Sequence, residues 1–165
     1  MTQSEAADLH KNRADYFDTL AQMGVTKHIG SLTATEGLVA GCHIDADSFV
    51  LDVGCGIGLT PCYLARTYHC RVVGVDITPK MIARAQVEGR QRGVSHLVSW
   101  AIADAQALPF AEGSFDAVIV ESVSVFLDDP QLGFREYARA ARAGGYVGVT
   151  ESTWLEPPGD DVADF

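Results

Sequence analysis

Three glycines that directly follow an apolar, β-branched run limit the possible folds more than any other feature of the chain. Val50-Leu51-Asp52-Val53 leads into Gly54-Cys55-Gly56-Ile57-Gly58. Glycine tolerates positive φ, and it lets a ligand approach the main chain where a Cβ would block it. Thr60 can cap a following helix, and Pro61 suits its first position. The stretch therefore predicts a strand, a turn and a helix N-terminus that together can hold a polar ligand.

The rest of the chain alternates apolar strands with amphipathic helices. This alternation indicates an α/β fold, with a mostly parallel sheet and helices on both faces. We expect a single domain over 1–165, with a helical cap at 1–45, a βα core at 46–155 and a tail at 156–165. The predicted strands are 71–76, 97–103, 115–120 and 146–150, and the predicted helices are 79–92, closed by Gly93, and 130–143, closed by Gly144-Gly145.

A carboxylate follows each of the later strands. Asp76 lies 22 residues beyond Gly54, and an acid at the tip of the second strand can accept both hydroxyl hydrogens of a ribose. It can also cap the helix that follows it. Asp104 comes after the third strand, with a turn role as its alternative, while Glu121 and Glu151 end the fourth and fifth. Because ligands bind at the carboxyl ends of parallel strands, we expect the first three of these acids to converge beside the glycine turn.

The form Asp52-x-Gly54-x-Gly56-x-Gly58 resembles motif I of the class I S-adenosylmethionine-dependent methyltransferases. A dinucleotide-binding fingerprint would instead need glycine at the position of Leu59. Later stretches are similar to the same family, namely D-A-x-x-L-P-F at 104–110 and R-A-A-R-A-G-G-Y-V at 139–147. The resemblance covers about 30–155 and is closest to the small-molecule group that includes ubiquinone and menaquinone C-methyltransferases.

The resemblance implies S-adenosylmethionine as the cofactor and in-line transfer of its methyl group to a small-molecule acceptor. In the family, the glycine turn lies against the methionyl part of the cofactor, and the acid after the third strand binds the adenine amino group. Glu121 and Glu151 are candidates for orienting or deprotonating the acceptor, and each could equally be a structural carboxylate. Ile77 would lie against adenine. The implied cofactor-binding residues are Asp52, Gly54, Cys55, Gly56, Gly58, Asp76, Ile77, Asp104, Ala105 and Glu121.

Composition argues against several other classes of function. The net charge of -10 and the pI near 4.7 would repel a phosphate backbone, so we expect no nucleic-acid partner. No apolar run approaches the roughly 20 residues of a membrane span, and the polar N-terminus lacks the regions of a signal peptide. We therefore expect a cytoplasmic protein with no membrane partner. The four cysteines and five histidines show no metal-ligand spacing, so we assign no metal.

Two helices are predicted before the first strand. The first spans 4–23 and carries Tyr16 on its apolar face, where the ring can pack against the core or close over the cofactor. The second begins at Thr33, because Thr33-x-x-Glu36 has the form of a capping box.

The length of the chain differs from that of the family it resembles. Family members normally continue to a sixth strand and an antiparallel seventh, whereas this chain ends at Phe165. We expect the last two strands to be lacking, which leaves an exposed apolar edge at 146–150 for a second copy or a partner chain to cover. Two other functions stay open: a non-catalytic module that binds S-adenosylmethionine or S-adenosylhomocysteine, and a nucleotide-dependent oxidoreductase.

Overall fold

The computed structural model describes residues 15–23 and 31–152 of the chain. Within these ranges, helical residues 15–23 form α1 and a short 3-10 helix lies at Ser124–Phe126. The other helices are α2 (Ser31–Gly41), α3 (Leu59–Tyr68), α4 (Pro79–Gln91) and α5 (Pro130–Ala140). The strands are β1 (Phe49–Val53), β2 (Arg71–Asp76), β3 (Val98–Ile102), β4 (Phe115–Glu121) and β5 (Ala141–Thr150).

The strands form one parallel sheet in the order β3-β2-β1-β4-β5. The chain moves outward from β1 to β2 and β3 on one side, and then crosses back to β4 and β5 on the other. A crevice forms at the carboxyl ends of the strands where the direction of winding reverses, and open α/β sheets bind ligands there. This sheet confirms the predicted α/β arrangement and places the ends of β1 and β4 side by side.

Apolar side chains cover both faces of the sheet. Successive residues of a strand point to opposite faces, so Val50 of β1 packs in the cluster that contains Leu64 of α3, while Leu51 packs in the cluster that contains Tyr137 of α5. All four side chains are fully buried. Because a slip of one residue would turn every buried side chain toward the wrong face, this packing fixes the register of the strands and the level at which each one ends.

Two of the predicted helix starts lie too late in the sequence. α2 begins at Ser31, so Thr33 lies inside the helix and does not cap it. α3 begins at Leu59, directly after Gly58, whose left-handed φ of 87° completes the turn. Thr60 therefore lies within the first turn of α3, and its hydroxyl donates to Glu121. A glycine that closes the turn by its backbone conformation makes a threonine cap unnecessary.

The boundary between α5 and β5 also differs from the prediction. The helix ends at Ala140, ahead of the predicted 143, and the strand starts at Ala141, ahead of the predicted 146. Ala141 already pairs with Phe115 of β4, and Nε of Arg142 donates to Oδ1 of Asp116 at 2.6 Å. A register shift on β4 accommodates the extra residues of β5 before regular pairing resumes. Pairing with β4 therefore overrides the local helical pattern.

Several other predictions concern the ends of the chain and its edge. Helix α1 lies within the predicted helix 4–23, whereas residues 4–14 and the predicted tail 156–165 lie outside the described residues. In the described part of the chain β5 pairs only with β4, and its Tyr146 and Val147 are 41% and 40% exposed. Among the described residues the predicted edge is therefore exposed at its start, while Gly148 is buried, and the chain that would cover this edge stays a prediction. Among the described residues, no helix could cross a bilayer and no group of three His, Cys, Asp or Glu side chains could hold a metal ion.

Candidate functional site

A cavity of about 610 Å³ opens at the carboxyl ends of β1, β2 and β4, and α1 forms part of its wall. Its volume is typical of a small-molecule site. Gly58 and Glu151 are not among the described residues that line it. The predicted site residues that do line it are Asp52, Gly54, Cys55, Gly56, Asp76, Ile77, Asp104, Ala105 and Glu121. The structure thus brings together most of the residues that the sequence singled out.

The turn between β1 and α3 presents main chain to the cavity at two of its three left-handed glycines. Gly54 and Gly56 have φ of 72° and 52°, and both line the cavity. The amide of Cys55 donates to the carbonyl of Val75 at 2.8 Å, which ties the turn to β2. A Cβ on Gly54 would lie 2.3 Å from Cγ2 of Val123. The loop after β4 can therefore approach this turn only because the residue is glycine.

The third glycine of the motif has a packing role. A Cβ on Gly58 would lie 2.6 Å from Cη2 of Trp100 and 2.9 Å from Cβ of Ala85. These neighbours belong to β3 and α4, so the lack of a side chain at Gly58 lets the start of α3 lie close to both elements. In the dinucleotide-binding fingerprint the last glycine serves the same kind of close packing. The prediction that Gly58 contacts the cofactor is not supported by its position outside the cavity lining.

Asp76 connects the glycine turn to the end of β2. Its Oδ2 accepts a hydrogen bond from the amide of Gly56 at 3.0 Å, and its Oδ1 accepts one from the amide of Thr78 at 2.8 Å. Burial raises the pKa of Asp76, whereas these hydrogen bonds lower it. Asp76 therefore satisfies turn amides, as its alternative role required, but it does not cap α4, whose N-cap residue is Thr78. Because each carboxylate oxygen can accept more than one hydrogen bond, Asp76 can also receive hydroxyl groups of a ligand in the cavity.

The residues after β2 and β3 form the neighbouring wall. Oδ1 of Asp104 accepts a hydrogen bond from the amide of Gln106 at 2.8 Å, which is the turn role that the sequence left open. Asp104 also lines the cavity, together with the buried Ala105 and the largely exposed Ile77. A cavity lined by a carboxylate together with two apolar side chains suits a flat, polar-edged ring such as a nucleobase.

Asp52 is the most unusual carboxylate of the cavity. It is 3% exposed, and its Oδ2 has no hydrogen-bond partner among the described residues. Burial raises the pKa of Asp52 well above its ordinary value, and the negative charges of Glu121 and Asp76 raise it further. The same causes, burial first and then the charges of Asp52 and Asp76, raise the pKa of the Cys55 thiol, so this cysteine is not an activated nucleophile. A buried carboxylate without a partner is costly, and a positively charged ligand would relieve that cost.

Glu121 is held in place by two threonine hydroxyls from different helices. Oγ1 of Thr35 in α2 donates to Oε1 at 2.8 Å, and Oγ1 of Thr60 in α3 donates to Oε2 at 2.9 Å. The two bonds fix the orientation of a carboxylate that lines the cavity. Sequence reasoning missed Thr35 and assigned Thr60 to a cap. No local signal could have found these contacts, because the partners lie 86 and 61 residues apart in the chain.

Glu151 is hydrogen-bonded to the main chain of the loop that follows β4. Its Oε1 accepts hydrogen bonds from the amides of Val123 at 3.0 Å and Ser124 at 2.6 Å. Its Oε2 is buried and has no partner among the described residues, as is also true of the hydroxyls of Ser124 and Tyr137. These contacts favour the structural alternative for Glu151, a carboxylate that shapes the β4 loop, over contact with an acceptor.

Helix α1 closes one side of the cavity. Tyr16, Phe17, Asp18 and Leu20 line it, and the ring of Phe17 meets that of Phe126 edge to face at 5.0 Å. The helix is anchored to α4, because Nζ of Lys80 lies 2.5 Å from Oδ2 of Asp18 and Arg84 donates to the carbonyl of Gln22 at 2.6 Å. Tyr16 is 43% exposed, so its position agrees with the covering role that the sequence left open. The aromatic contact with Phe126 was not predicted.

Sequence comparison places these elements among known proteins. The family described as "Methyltransferase domain" matches residues 51–149. Methyltransferase GfsG of Streptomyces halstedii is 33% identical over 129 residues, which cover 78% of this chain and 46% of that protein. Ajmaline N-methyltransferase of Rauvolfia serpentina is 34% identical over 98 residues, covering 59% of this chain and 34% of the relative. The chain spans about half the length or less of these curated relatives.

Structural comparison gives the same fold. The [4+2]-cyclase SpnF superimposes with a TM-score of 0.70 and 31% identity, covering 72% of this chain and 44% of that one. An S-adenosylmethionine-dependent methyltransferase from Geobacter sulfurreducens, in complex with S-adenosyl-L-homocysteine, superimposes with a TM-score of 0.76 and 22% identity, covering 90% of this chain and 60% of that one.

Proposed function

The chain belongs to the class I S-adenosylmethionine-dependent methyltransferases, and from this premise we propose that it transfers the methyl group of that cofactor to a small-molecule acceptor. One observation carries the proposal. Asp52, the Gly54–Gly56 turn, Asp76 and Asp104 come from three separate strand ends, and all of them line one cavity. Independent turn-capping residues would have no reason to converge on the same space.

The residues of the cavity fit the chemistry of S-adenosylmethionine. The buried, unpartnered Oδ2 of Asp52 matches the positive charge of the methionyl part, which would lie against the main chain of Gly54–Gly56. Asp76 would accept the ribose hydroxyls. Asp104 would accept the adenine amino group, with Ile77 and Ala105 against the ring. Each assignment uses a group that already lines the cavity.

The remaining residues would align the reactants. When bound, the cofactor supplies a methyl group on a positively charged sulfonium, which is already activated toward displacement. The protein can therefore act largely by alignment and by exclusion of water. Tyr16 and Phe17 of α1 would keep water out, and Glu121, fixed by Thr35 and Thr60, would orient the acceptor.

Isothermal titration calorimetry tests the cofactor assignment. S-adenosylmethionine and S-adenosylhomocysteine should bind, and Asp76→Asn or Asp104→Asn should weaken binding about tenfold or more, as expected for the loss of a charged hydrogen-bond acceptor. Asp47→Asn, at an exposed site before β1, is the matched control and should leave affinity unchanged. Binding of NAD with no response to either sulfur ligand would overturn the assignment and favour the oxidoreductase alternative.

A non-catalytic role is the second candidate. It stays open because SpnF, which has the same fold, is named as a [4+2]-cyclase, so this fold is not restricted to methyl transfer. Transfer of labelled methyl from the cofactor to a metabolite pool distinguishes the two: cofactor binding without transfer to any component would support the binding module. The quinone-methylating subgroup and the cytoplasmic location stay predictions, as does the pairing of β5 with a second copy, which size-exclusion chromatography would test.

A further inference from the structure

We propose that the methyl acceptor is an uncharged molecule with a largely apolar body, which lies between α1 and the loop that follows β4. The inference rests on the proposed methyl transfer and adds the chemical class of the acceptor. Two features of this end of the cavity carry it. The side chains that α1 and the loop present are mostly apolar, and the polar groups beside them already have partners within the protein.

The cavity has two ends that are formed by different parts of the chain. The groups proposed to hold the cofactor come from β1, β2, β3 and the turns that follow them. We call the other end, between α1 and the loop after β4, the acceptor end. Because the cofactor would occupy the first end, the acceptor would lie against the second. The apolar lining residues of the acceptor end are Tyr16, Phe17, Leu20, Val123, Phe126 and Leu127.

Three aromatic rings join α1 to the loop after β4. Phe17 contacts Tyr16 and Phe126 edge to face, with ring centroids 5.3 and 5.0 Å apart. Tyr16 is 43% exposed and Phe126 is 39% exposed, although both line the cavity. Covering an exposed ring is favourable in proportion to the apolar area that is removed from water. An apolar body placed against these rings would therefore gain affinity from burial, without any charged contact.

The polar side chains near α1 and β3 are engaged in contacts of their own. Asp18 pairs with Nζ of Lys80 at 2.5 Å. Oε1 of Gln106 accepts a hydrogen bond from the amide of Asp129 at 2.7 Å, and its Nε2 lies 3.4 Å from Oδ1 of Asp104. A ligand that used Asp18 or Gln106 would have to displace one of these contacts. Such an exchange of hydrogen bonds contributes little net free energy.

The polar side chains that follow β4 are engaged as well. The two oxygens of Glu121 accept hydrogen bonds from Thr35 and Thr60 at 2.8 and 2.9 Å, and Glu121 has a further interaction besides these. Ser122 and Asp128 likewise take part in interactions. These groups shape the acceptor end, and none of them requires an ionic ligand as its partner.

The same lining disfavours a charged acceptor. None of the described side chains that line the cavity is Lys or Arg, so a carboxylate or a phosphate would be buried without an opposite charge. An ammonium group would have to compete with the partners of Asp18 and Glu121, because Asp52 is assigned to the cofactor. An uncharged acceptor avoids both costs.

Methyl transfer to such an acceptor needs no co-reactant other than water. An electron pair of the acceptor forms the bond to the methyl carbon, the C–S bond breaks, and its electron pair stays on sulfur, which becomes neutral. The proton that the acceptor loses goes to water. Contact between the apolar body and the rings would align the acceptor with the methyl group.

A series of para-substituted phenols tests the inference on the full chain. 4-Ethylphenol, 4-propylphenol and 4-butylphenol differ only in apolar length, whereas tyramine and 4-hydroxyphenylacetate carry an ammonium or a carboxylate group on a short side chain. Binding is measured by calorimetry on protein saturated with S-adenosylhomocysteine. We expect affinity to rise about fourfold with each added CH2 group. The two charged phenols should bind about tenfold or more weakly than 4-ethylphenol, because a charge would be buried without a partner.

The product of methyl transfer gives a second readout. Labelled S-adenosylmethionine is incubated with the protein and a metabolite pool, and the labelled product is divided between water at pH 7 and an organic solvent. An uncharged, apolar product should pass into the organic solvent, whereas a charged product would stay in water.

Ring variants assign the binding to the acceptor end. Phe126→Ser and Tyr16→Ser should each lower the affinity for 4-butylphenol about tenfold, because each removes a ring that the ligand would cover. The affinity for S-adenosylhomocysteine should change much less. Phe134→Ser is the matched control, because Phe134 is 40% exposed but lies outside the described lining, and it should leave both affinities unchanged. Circular dichroism checks that each variant is folded.

Several outcomes would overturn the inference. They are tighter binding of either charged phenol than of 4-ethylphenol, no binding of any phenol, affinity that does not rise with chain length, a labelled product that stays in water, and wild-type affinity for 4-butylphenol in both ring variants. Failure of both sulfur ligands to bind would instead refute the proposed function.

Discussion

The interior of the sheet and the cavity at its edge are built from the same strands but make opposite contributions to stability. In the interior, Val50 and Leu51 of β1 are fully buried among apolar neighbours. One residue further along, Asp52 is almost as deeply buried but keeps an unpartnered oxygen. Burial of Val50 and Leu51 stabilises the fold, whereas burial of the Asp52 carboxylate destabilises it. Groups that can bind a ligand therefore lie where the strand leaves its apolar layer, and they reduce the stability of the fold.

The largest effect on stability should come from the interior. Leu64→Ala removes a fully buried side chain and should lower the free energy of unfolding by about 2–5 kcal/mol, from lost burial and the cavity left behind. Leu132→Ala, on the exposed side of α5, is the matched control and should cost far less. Urea unfolding measures both. Equal losses of unfolding free energy in the two variants would contradict the larger contribution assigned to the interior.

A smaller loss is expected where the interior meets the cavity. Gly58→Ala would place a Cβ 2.6 Å from Trp100 at a φ of 87°, so overpacking and left-handed strain should together cost about 2–4 kcal/mol. Gly37→Ala, at an open position of α2, should instead stabilise the protein by up to about 1 kcal/mol. Thermal unfolding compares the two. A neutral Gly58→Ala variant would contradict the packing role assigned to the third glycine.

The smallest effect should come from a carboxylate that is fully partnered. Asp116, near the start of β4, accepts hydrogen bonds from Arg142 and from the amide of Phe49, and these bonds lower its pKa. Because this site is partly exposed, Asp116→Asn should cost less than about 1 kcal/mol. The contribution is present above the unfolded-state pKa of about 3.9 and is lost as the pH falls through the lower folded-state value. Unfolding measured at pH 7 and at pH 3 should show that the difference in unfolding free energy between the wild type and Asp116→Asn is smaller at pH 3.

Local patterns predicted the strands and their acidic ends well. β-branched runs and helical periodicity are properties of neighbouring residues, and a carboxylate directly after such a run must lie at the edge of the sheet. Asp76 and Asp104 could therefore be placed at the cavity from the sequence, as could Asp52 from its position in the glycine motif.

Features that depend on distant residues could not be predicted. The helix that was expected to reach residue 143 ends at Ala140 because pairing with β4 takes over. Glycine spacing indicated a turn, but it did not show that Gly58 faces Trp100. Likewise, the hydroxyls that hold Glu121 come from helices that are adjacent only in the folded chain. These are contacts of tertiary structure with no local signal.

The most direct test of the account is Asp52→Asn, measured for both stability and binding. Because the pKa of Asp52 is higher in the folded state than in the unfolded state, ionisation of Asp52 destabilises the wild type increasingly as the pH rises above the unfolded-state pKa. The neutral amide of Asp52→Asn avoids this loss. A gain of about 1 kcal/mol would raise Tm by about 2–4 °C. At pH 7 Asp52→Asn should raise Tm and weaken S-adenosylmethionine binding by about 10- to 100-fold. Unchanged affinity for S-adenosylmethionine in a folded Asp52→Asn variant would contradict the role of Asp52 in holding the cofactor.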